Sequence, residues 1–257
     1  MQPQAVGWLE RISNEMALYC HNKLNKKGVV RADAQEIHIV RDALPEPIFR
    51  QLLHQVTSDS THLVHSEVSW RTGGAISGHQ LRQGPMWQWL EYLTCDDFLA
   101  KVRAQTGITD LQLVPAKDTN QISLLDYRGA KDRDNQTQCA DDQQTGDGIS
   151  WHVDGSIYLG DRWTGILILH EDTQEPASKL ELKPHGQRLT LAKEDTLNSL
   201  VLFRGDHVEH RVRPLNPGEH RIVLSLLFSP KPVMTKNPLL LRYQSKVNQV
   251  FYGDGAI

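Results

Sequence analysis

The chain lacks the sequence features of membrane-spanning, secreted and nucleic-acid-binding proteins. It has no apolar run long enough to cross a bilayer, and its start shows no basic residues followed by an apolar stretch. The formal net charge is −3, and no basic stripe interleaved with aromatic residues is visible. The sequence therefore gives no general electrostatic attraction to nucleic acid. We therefore expect a cytoplasmic protein that has neither a membrane partner nor a nucleic-acid partner.

Cysteine is scarce as well, and internal repeats are absent. Cys20, Cys95 and Cys139 are odd in number and widely separated in the sequence. Free thiols in a reducing cytosol are therefore a simpler interpretation than a disulfide framework. With 257 residues and a hydrophobic content of 39%, the chain is long enough for one large domain or for a core with a helical extension. The sequence does not indicate an oligomeric state.

The most informative residues are two histidines and one carboxylate. His152, Val153 and Asp154 end a segment typical of a strand, and His210 follows much later in the chain. Alternate residues of a strand point to the same side, so His152 and Asp154 can face one cavity while Val153 faces away. Two histidines and one carboxylate are the ligand set of an Fe(II) site with open positions. His207 is an alternative distal ligand, but we favour His210.

Arg221 is the second informative residue. It begins the strongly apolar segment 221–228, where a cation is costly unless it is paired. A bound dicarboxylate would pair it, because arginine can hold a carboxylate through two parallel hydrogen bonds. By the two-residue period of a strand, Ser225 shares the face of Arg221. Ser225 is then either a contact of the same ligand or a small residue that leaves room for it.

The segment from about 121 to 230 resembles the Fe(II)- and 2-oxoglutarate-dependent oxygenases of the prolyl-hydroxylase-like superfamily. The matching pieces are His152-x-Asp154, His210-x-Val212, Gly218 and Arg221. The resemblance implies Fe(II), 2-oxoglutarate as cosubstrate, and O₂. It implies that His152, Asp154 and His210 are the metal ligands and the catalytic residues. It further implies that the far carboxylate of the cosubstrate lies on Arg221, with Tyr127 beside it.

The succession of short strands favours a sandwich or barrel. With helices gathered toward the N-terminus, the expected fold is mainly β with flanking helices (α+β), around a double-stranded β-helix, that is, a cupin-like jelly roll. We expect three regions, an N-terminal helical and strand region over 1–110 that packs on the core, a catalytic core over 111–230, and a C-terminal extension over 231–257.

Two further segments carry structural expectations. The polar segment 129–148 lies directly before the first ligands and is nearly free of large apolar residues. It is either a lid over the pocket or a solvated hairpin. Apolar residues at helical spacing predict an N-terminal helix over 8–24.

The resemblance also implies a reaction, the hydroxylation of an unactivated C–H bond. Similar enzymes that halogenate free amino acids carry a small residue where this chain has Asp154, which favours hydroxylation over halogenation. Desaturation and ring closure stay open. The size of the chain favours a small-molecule substrate, with a free amino acid or a derivative as the leading candidate. The alternatives are a prolyl-type hydroxylase of peptides or proteins, and a non-catalytic metal-binding jelly roll that senses a metabolite.

The substrate contacts are harder to predict than the metal ligands. Candidates flank the inferred site or share the strand face of Tyr127, and they are Trp70, Arg71, Gln121, Ser123 and Ser156. For Arg71 the alternative is an exposed side chain on a solvated loop.

Overall fold

The computed structural model describes residues 35–58, 63–130 and 146–253. The expected N-terminal helix over 8–24 and most of the polar segment 129–148 lie outside the described residues. Those two expectations therefore stay predictions.

Helices lie before the main run of strands and at the end of the described chain. They are α1 (Glu46–Ser58), α2 (Gly78–Gln83), α3 (Trp87–Leu90), α4 (Asp96–Thr106) and α5 (Pro238–Tyr252). A capping box at Ser77 starts α2, and Gly107, at φ 74°, ends α4 in the left-handed conformation. No described helix is both long enough and apolar enough to cross a membrane.

In the described part of the chain, twelve strands form one antiparallel sheet. They are β1 (Ile37–Val40), β2 (Val64–Val68), β3 (Arg71–Ile76), β4 (Gln112–Leu113), β5 (Ile122–Arg128), β6 (Gly148–His152), β7 (Trp163–Asp172), β8 (Ala177–Lys183), β9 (Leu189–Ala192), β10 (Leu200–Arg204), β11 (Glu209–Val212) and β12 (His220–Ser229). Their order is β1-β10-β7-β12-β5-β3-β6-β11-β8-β9, with β2 added to β3 and β4 added to β12. Strands from both sides of residue 111 thus belong to the same sheet.

The sheet curls around a cavity. This is seen from the cavity lining, to which β5, β7 and β12 contribute residues on one side and β6, β8 and β11 on the other. This is the expected jelly-roll architecture, and the predicted fold class is confirmed.

Both faces of the central strands are buried, which explains their nearly continuous apolar sequences. On β5, Ile122 and Leu124 belong to the core beneath the helices, whereas Leu125 and Tyr127 belong to the core inside the curl. On β12, Leu224 faces the helices. The alternate residues, among them Arg221, therefore face the interior.

Candidate metal centre and adjoining cavity

Three polar side chains meet where β6 and β11 run side by side. The antiparallel register of these strands pairs His152 with His210. Asp154 follows β6, and its backbone N–H donates to the Gly205 carbonyl at 2.8 Å. Nε2 of each histidine lies 3.8 Å from Asp154 Oδ1. The three ligand atoms lie within 4.8 Å of one another, an arrangement that suits a single metal ion.

Hydrogen bonds to backbone carbonyls orient both imidazole rings. His152 Nδ1 lies 2.7 Å from the Ser150 carbonyl oxygen, and His210 Nδ1 lies 2.9 Å from the Val208 carbonyl oxygen. A carbonyl can only accept, so each Nδ1 carries the proton and each Nε2 keeps its lone pair for a metal. His207 is not part of the ligand group within the described chain.

The Asp154 carboxylate is held through Oδ2, whereas Oδ1 faces the two histidines. Thr164 Oγ1 donates to Asp154 Oδ2 at 2.5 Å, and Arg162 Nε lies 3.3 Å from the same oxygen. Gly205 closes this corner, since a Cβ there would collide with both Thr164 Oγ1 and Asp154 Oδ2. A side chain at position 205 would therefore displace the carboxylate.

The electrostatics set the protonation states that a metal requires. Burial would raise the pKa of Asp154, but the charges of Arg162, His210 and His152 and the Thr164 hydrogen bond lower it to about 2. Burial, together with the neighbouring His152, lowers the pKa of His210 to about 4. At neutral pH the carboxylate is thus ionised and His210 is neutral, as metal ligands must be.

Arg221 is fully buried in the same cavity. The register of β12 places it between Tyr127 on β5 and Glu171 on β7. Its Nε donates to Glu171 Oε1 at 3.2 Å. Its Nη2 is buried and has no hydrogen-bond partner among the described residues. Such an atom is costly unless a ligand supplies an acceptor.

Glu171 is itself held firmly. It accepts hydrogen bonds from Ser178 Oγ at 2.9 Å and from the Lys179 backbone N–H at 2.7 Å. The Arg221 guanidinium is therefore fixed on its Nε side, whereas its terminal side is directed at the cavity that it lines.

The cavity has a volume of about 370 Å³, within the range of small-ligand sites. The three candidate ligands and Arg221 line it, and so do the predicted contacts Trp70, Ser123, Tyr127 and Ser225. Helix α5 covers it on one side through Tyr243, Gln244, Val247, Phe251 and Tyr252.

Arg71 does not line this cavity, and it is buried rather than exposed on a solvated loop. Its guanidinium carbon lies 4.2 Å from the centre of the Phe251 ring, and its Nη1 donates to Ser66 and to the Gly73 carbonyl. The side chain therefore lies between α5 and the strands β2 and β3.

Gln121 and Ser156 also lie outside the cavity lining. Gln121 precedes β5 in a turn, so the two-residue period does not extend to it, and its Nε2 donates to the Val114 carbonyl at 2.6 Å. Ser156 Oγ accepts from the backbone N–H of Tyr158 at 3.2 Å. These contacts give both side chains structural roles.

Sequence reasoning missed Thr164, Gly205, Asn120 and the inner face of α5. The one available signal was the four-residue spacing of Tyr243, Val247 and Phe251, which predicts an apolar helix face but not what that face covers.

Neither a scan against family models nor a sequence search of curated proteins finds a match. Solved structures do match. The chain is similar to the non-haem α-ketoglutarate-dependent epimerase SnoN from nogalamycin biosynthesis, with 13% identity over 88% of this chain and 89% of that one and a TM-score of 0.56. It is similar to a Pseudomonas putida prolyl-4-hydroxylase, with 16% identity over 82% and 98% of the two chains and a TM-score of 0.52.

A third similar structure is an oxidoreductase of the 2OG-Fe(II) oxygenase family from Burkholderia pseudomallei. It is 8% identical over 92% of this chain and 97% of that one, with a TM-score of 0.53. The resemblance found in the sequence is thus confirmed at the level of the fold. This chain has the double-stranded β-helix fold of the iron- and 2-oxoglutarate-dependent oxygenases.

Proposed function

We propose that this protein is an Fe(II)- and 2-oxoglutarate-dependent dioxygenase that hydroxylates an unactivated C–H bond of a small molecule. One observation carries the proposal. A partly buried group of two histidines and one aspartate shares a cavity with Arg221, whose Nη2 lacks a hydrogen-bond partner among the described residues.

The donor set fits iron. His152 and His210 present Nε2 and Asp154 presents Oδ1, and together they would hold Fe(II) on one face and leave positions open for the cosubstrate and O₂. Thr164 and Arg162 fix Asp154 Oδ2, which favours binding of the metal through one carboxylate oxygen.

The cavity also fits the cosubstrate. 2-Oxoglutarate has two carboxylates, and the one remote from the metal would accept hydrogen bonds from the Arg221 guanidinium. Tyr127 and Ser225 line the wall beside Arg221 and are proposed as further contacts. The SnoN epimerase, described in complex with Fe³⁺, α-ketoglutarate and nogalamycin RO, supports this pairing of fold and ligands.

The division of labour follows from these roles. When bound, iron and 2-oxoglutarate supply the activation of O₂ and the oxidation of the substrate. The protein orients both through His152, Asp154, His210 and Arg221. Apolar lining residues such as Leu125 and Ile166 limit the access of water.

Hydroxylation is favoured over halogenation because Asp154 occupies the ligand position that similar halogenases leave to chloride. The size of the chain favours a free amino acid or a derivative as the substrate. A prolyl residue within a peptide is the alternative, and the likeness to a prolyl-4-hydroxylase supports it.

The proposal is tested by measuring O₂ uptake and succinate release with Fe(II), 2-oxoglutarate and a panel of small molecules and proline-containing peptides. We expect succinate release from wild type and none from His210→Ala. If wild type binds iron and 2-oxoglutarate but forms no succinate with any compound, the non-catalytic sensor is favoured and the dioxygenase proposal fails.

A further inference from the structure

Helix α5 presents two parallel stripes to the cavity. Residues four apart on a helix lie one above the other. The first stripe is Tyr243, Val247 and Phe251, which are largely apolar, and the second is Gln244, Asn248 and Tyr252, which are polar but uncharged. Every member except Asn248 lines the cavity. The helix therefore supplies both an apolar strip and a neutral polar strip to the wall opposite the sheet.

The polar stripe is tied to the loop before β5. Asn120 Nδ2 donates to Asn248 Oδ1 at 2.9 Å, and Gln244 Nε2 donates to the same oxygen at 2.8 Å. The Tyr252 hydroxyl donates to Asn120 Oδ1 at 3.2 Å. These bonds hold α5 in place as a fixed wall. The groups that Asn120, Gln244 and Tyr252 offer to the cavity are amides and a hydroxyl.

The charged groups of the cavity are already assigned. Apart from tyrosine hydroxyls, the described lining residues that carry or can carry charge are His152, Asp154, Arg162, His210 and Arg221. Arg162 is paired with Asp154, and Arg162 Nη1 donates to the Gly155 carbonyl at 2.5 Å. Arg221 is paired with Glu171 and is the proposed contact of the cosubstrate.

The wall therefore offers a substrate no acidic group beyond the metal ligand Asp154, within the described part of the chain. Among the described residues, an ammonium group in this cavity would find no acidic partner other than Asp154, and burying an unpaired charge is costly. A free amino acid needs a partner for its ammonium group and a partner for its carboxylate. Both lining arginines already contact a carboxylate, so the described part of the cavity favours a molecule that brings neither charge.

The mouth of the cavity is apolar and aromatic. Trp70, Val153 and Tyr243 all line it, and they are 37%, 38% and 60% exposed, which is unusual for large apolar side chains. The Trp70 and Phe251 rings lie 5.8 Å apart at a tilt of 48° and form one continuous aromatic surface. Such a surface favours the flat face of a ring.

We propose that the substrate is an uncharged, oxygen-bearing ring compound. This inference rests on the proposed function and names its substrate class. The ring packs on Trp70, Phe251 and Tyr243, and hydroxyl or carbonyl groups form hydrogen bonds with Asn120, Ser123 and Gln244. This class replaces the free amino acid as the expected substrate, whereas a neutral, blocked amino-acid derivative stays within it.

The test compares probes that share a ring and differ in charge. The protein is loaded with redox-inert Zn²⁺ and saturating 2-oxoglutarate. Dissociation constants are then measured by ligand-observed NMR for benzyl alcohol, benzylammonium, benzoate and phenylalanine, with 3-methylbutanol as the neutral probe without a ring. We expect benzyl alcohol to bind about tenfold more tightly than each charged probe, because only the neutral probe avoids an unpaired buried charge. We expect 3-methylbutanol to bind more weakly than benzyl alcohol.

A charge placed on the wall gives a matched control. Gln244→Glu puts a carboxylate into the polar stripe and should strengthen benzylammonium binding by about tenfold. Gln249→Glu makes the same substitution at an exposed position of the same helix and should leave binding unchanged. Equal strengthening in both variants, or none in Gln244→Glu, would contradict this placement of the substrate.

The inference is overturned if benzylammonium or phenylalanine binds wild type as tightly as benzyl alcohol does, or if benzyl alcohol does not bind. The binding of 2-oxoglutarate to wild type and Arg221→Ala is measured first by calorimetry. Failure of the cosubstrate to bind would refute the proposed function. Cosubstrate binding with a preference for charged probes would refute the substrate class alone.

Discussion

Replacing Glu171 with glutamine tests whether Arg221 is a buried cation poised for a second carboxylate. Glu171 is the acidic partner of Arg221, at 3.2 Å, and both side chains are almost fully buried. Glutamine keeps the shape and an oxygen acceptor but removes the negative charge. In Glu171→Gln the guanidinium is therefore left in the interior with its charge uncompensated.

The expected loss of stability is large for a single-residue change. Removing one partner of a buried ion pair costs about 3–5 kcal/mol, and the retained amide acceptor places Glu171→Gln at about 3 kcal/mol. Added 2-oxoglutarate brings a carboxylate to the same guanidinium. At about 100 times its dissociation constant, it should raise the free energy of unfolding of wild type by about 2.7 kcal/mol. The same concentration should raise that of the variant by more, because the ligand there replaces the missing charge.

The assay is urea unfolding of the Zn²⁺-loaded protein, followed by tryptophan fluorescence and far-UV circular dichroism with and without 2-oxoglutarate. Glu46→Gln is the matched control, since Glu46 pairs with Arg50 at the surface and is 60% exposed. Such a pair contributes at most about 1 kcal/mol. Equal losses in the two variants, or a gap between wild type and Glu171→Gln that does not narrow on adding 2-oxoglutarate, would refute the reasoning.

Three further predictions concern the metal centre and the outer face of the sheet. Thr164→Val removes the hydrogen bond to Asp154 Oδ2 and should weaken metal affinity by about 10–100-fold, as measured by competition with a chelator. Gly205→Ala should weaken metal affinity more than Thr164→Val does, because the added Cβ would push Asp154 aside. The far-UV circular dichroism spectrum should stay unchanged. Burial would raise the pKa of Asp126, but hydrogen bonds from His220 and Arg128 lower it. The Asp126 carboxylate therefore contributes stability above its unfolded pKa of about 3.9, and this contribution is lost as pH falls through its pKa in the folded protein. Asp126→Asn should therefore flatten the acid side of a plot of stability against pH.

Each of these variants has a counterpart that should behave like wild type. Thr190→Val changes an exposed threonine on β9 and should leave chelator competition unchanged. Gly84→Ala places a Cβ no closer than 3.6 Å to its neighbours and should keep full metal affinity. Asp110→Asn removes an exposed carboxylate and should keep the acid side of the stability curve. A loss of metal affinity in a control as large as in its test variant would contradict the specific roles given to Thr164 and Gly205. If Asp110→Asn flattens the acid side of the stability curve as much as Asp126→Asn does, the role given to Asp126 is contradicted.

The candidate metal ligands and Arg221 could be singled out from the sequence because most of their evidence is local. The two-residue period of a strand predicts that His152 and Asp154 share one side, but β6 ends at His152, and Val153, which was expected to face away, also lines the cavity. A cation inside an apolar segment signals a paired, buried role. His210 lies far along the chain, and only the register of β6 against β11 brings it opposite His152. That register is a tertiary property, so the sequence alone left His207 open as an alternative.

The rest of the site could not be predicted because it depends on packing between distant segments. The pattern of Arg71 did not reveal that it is buried and packs against Phe251 on the C-terminal helix. The role of Gly205 depends on how closely one backbone approaches the side chains of Thr164 and Asp154. The position of α5 over the cavity likewise follows from tertiary contacts, although the helix itself shows in the periodicity of its sequence.

The most direct test of the central claim is an anaerobic optical titration of wild type, His210→Ala and Arg221→Ala with Fe(II) and 2-oxoglutarate. We expect a weak visible charge-transfer band in wild type. We expect that His210→Ala loses the band and that Arg221→Ala needs much more cosubstrate to develop it. Wild type that retains iron but shows no band, or an Arg221→Ala variant that titrates like wild type, would contradict the proposed site.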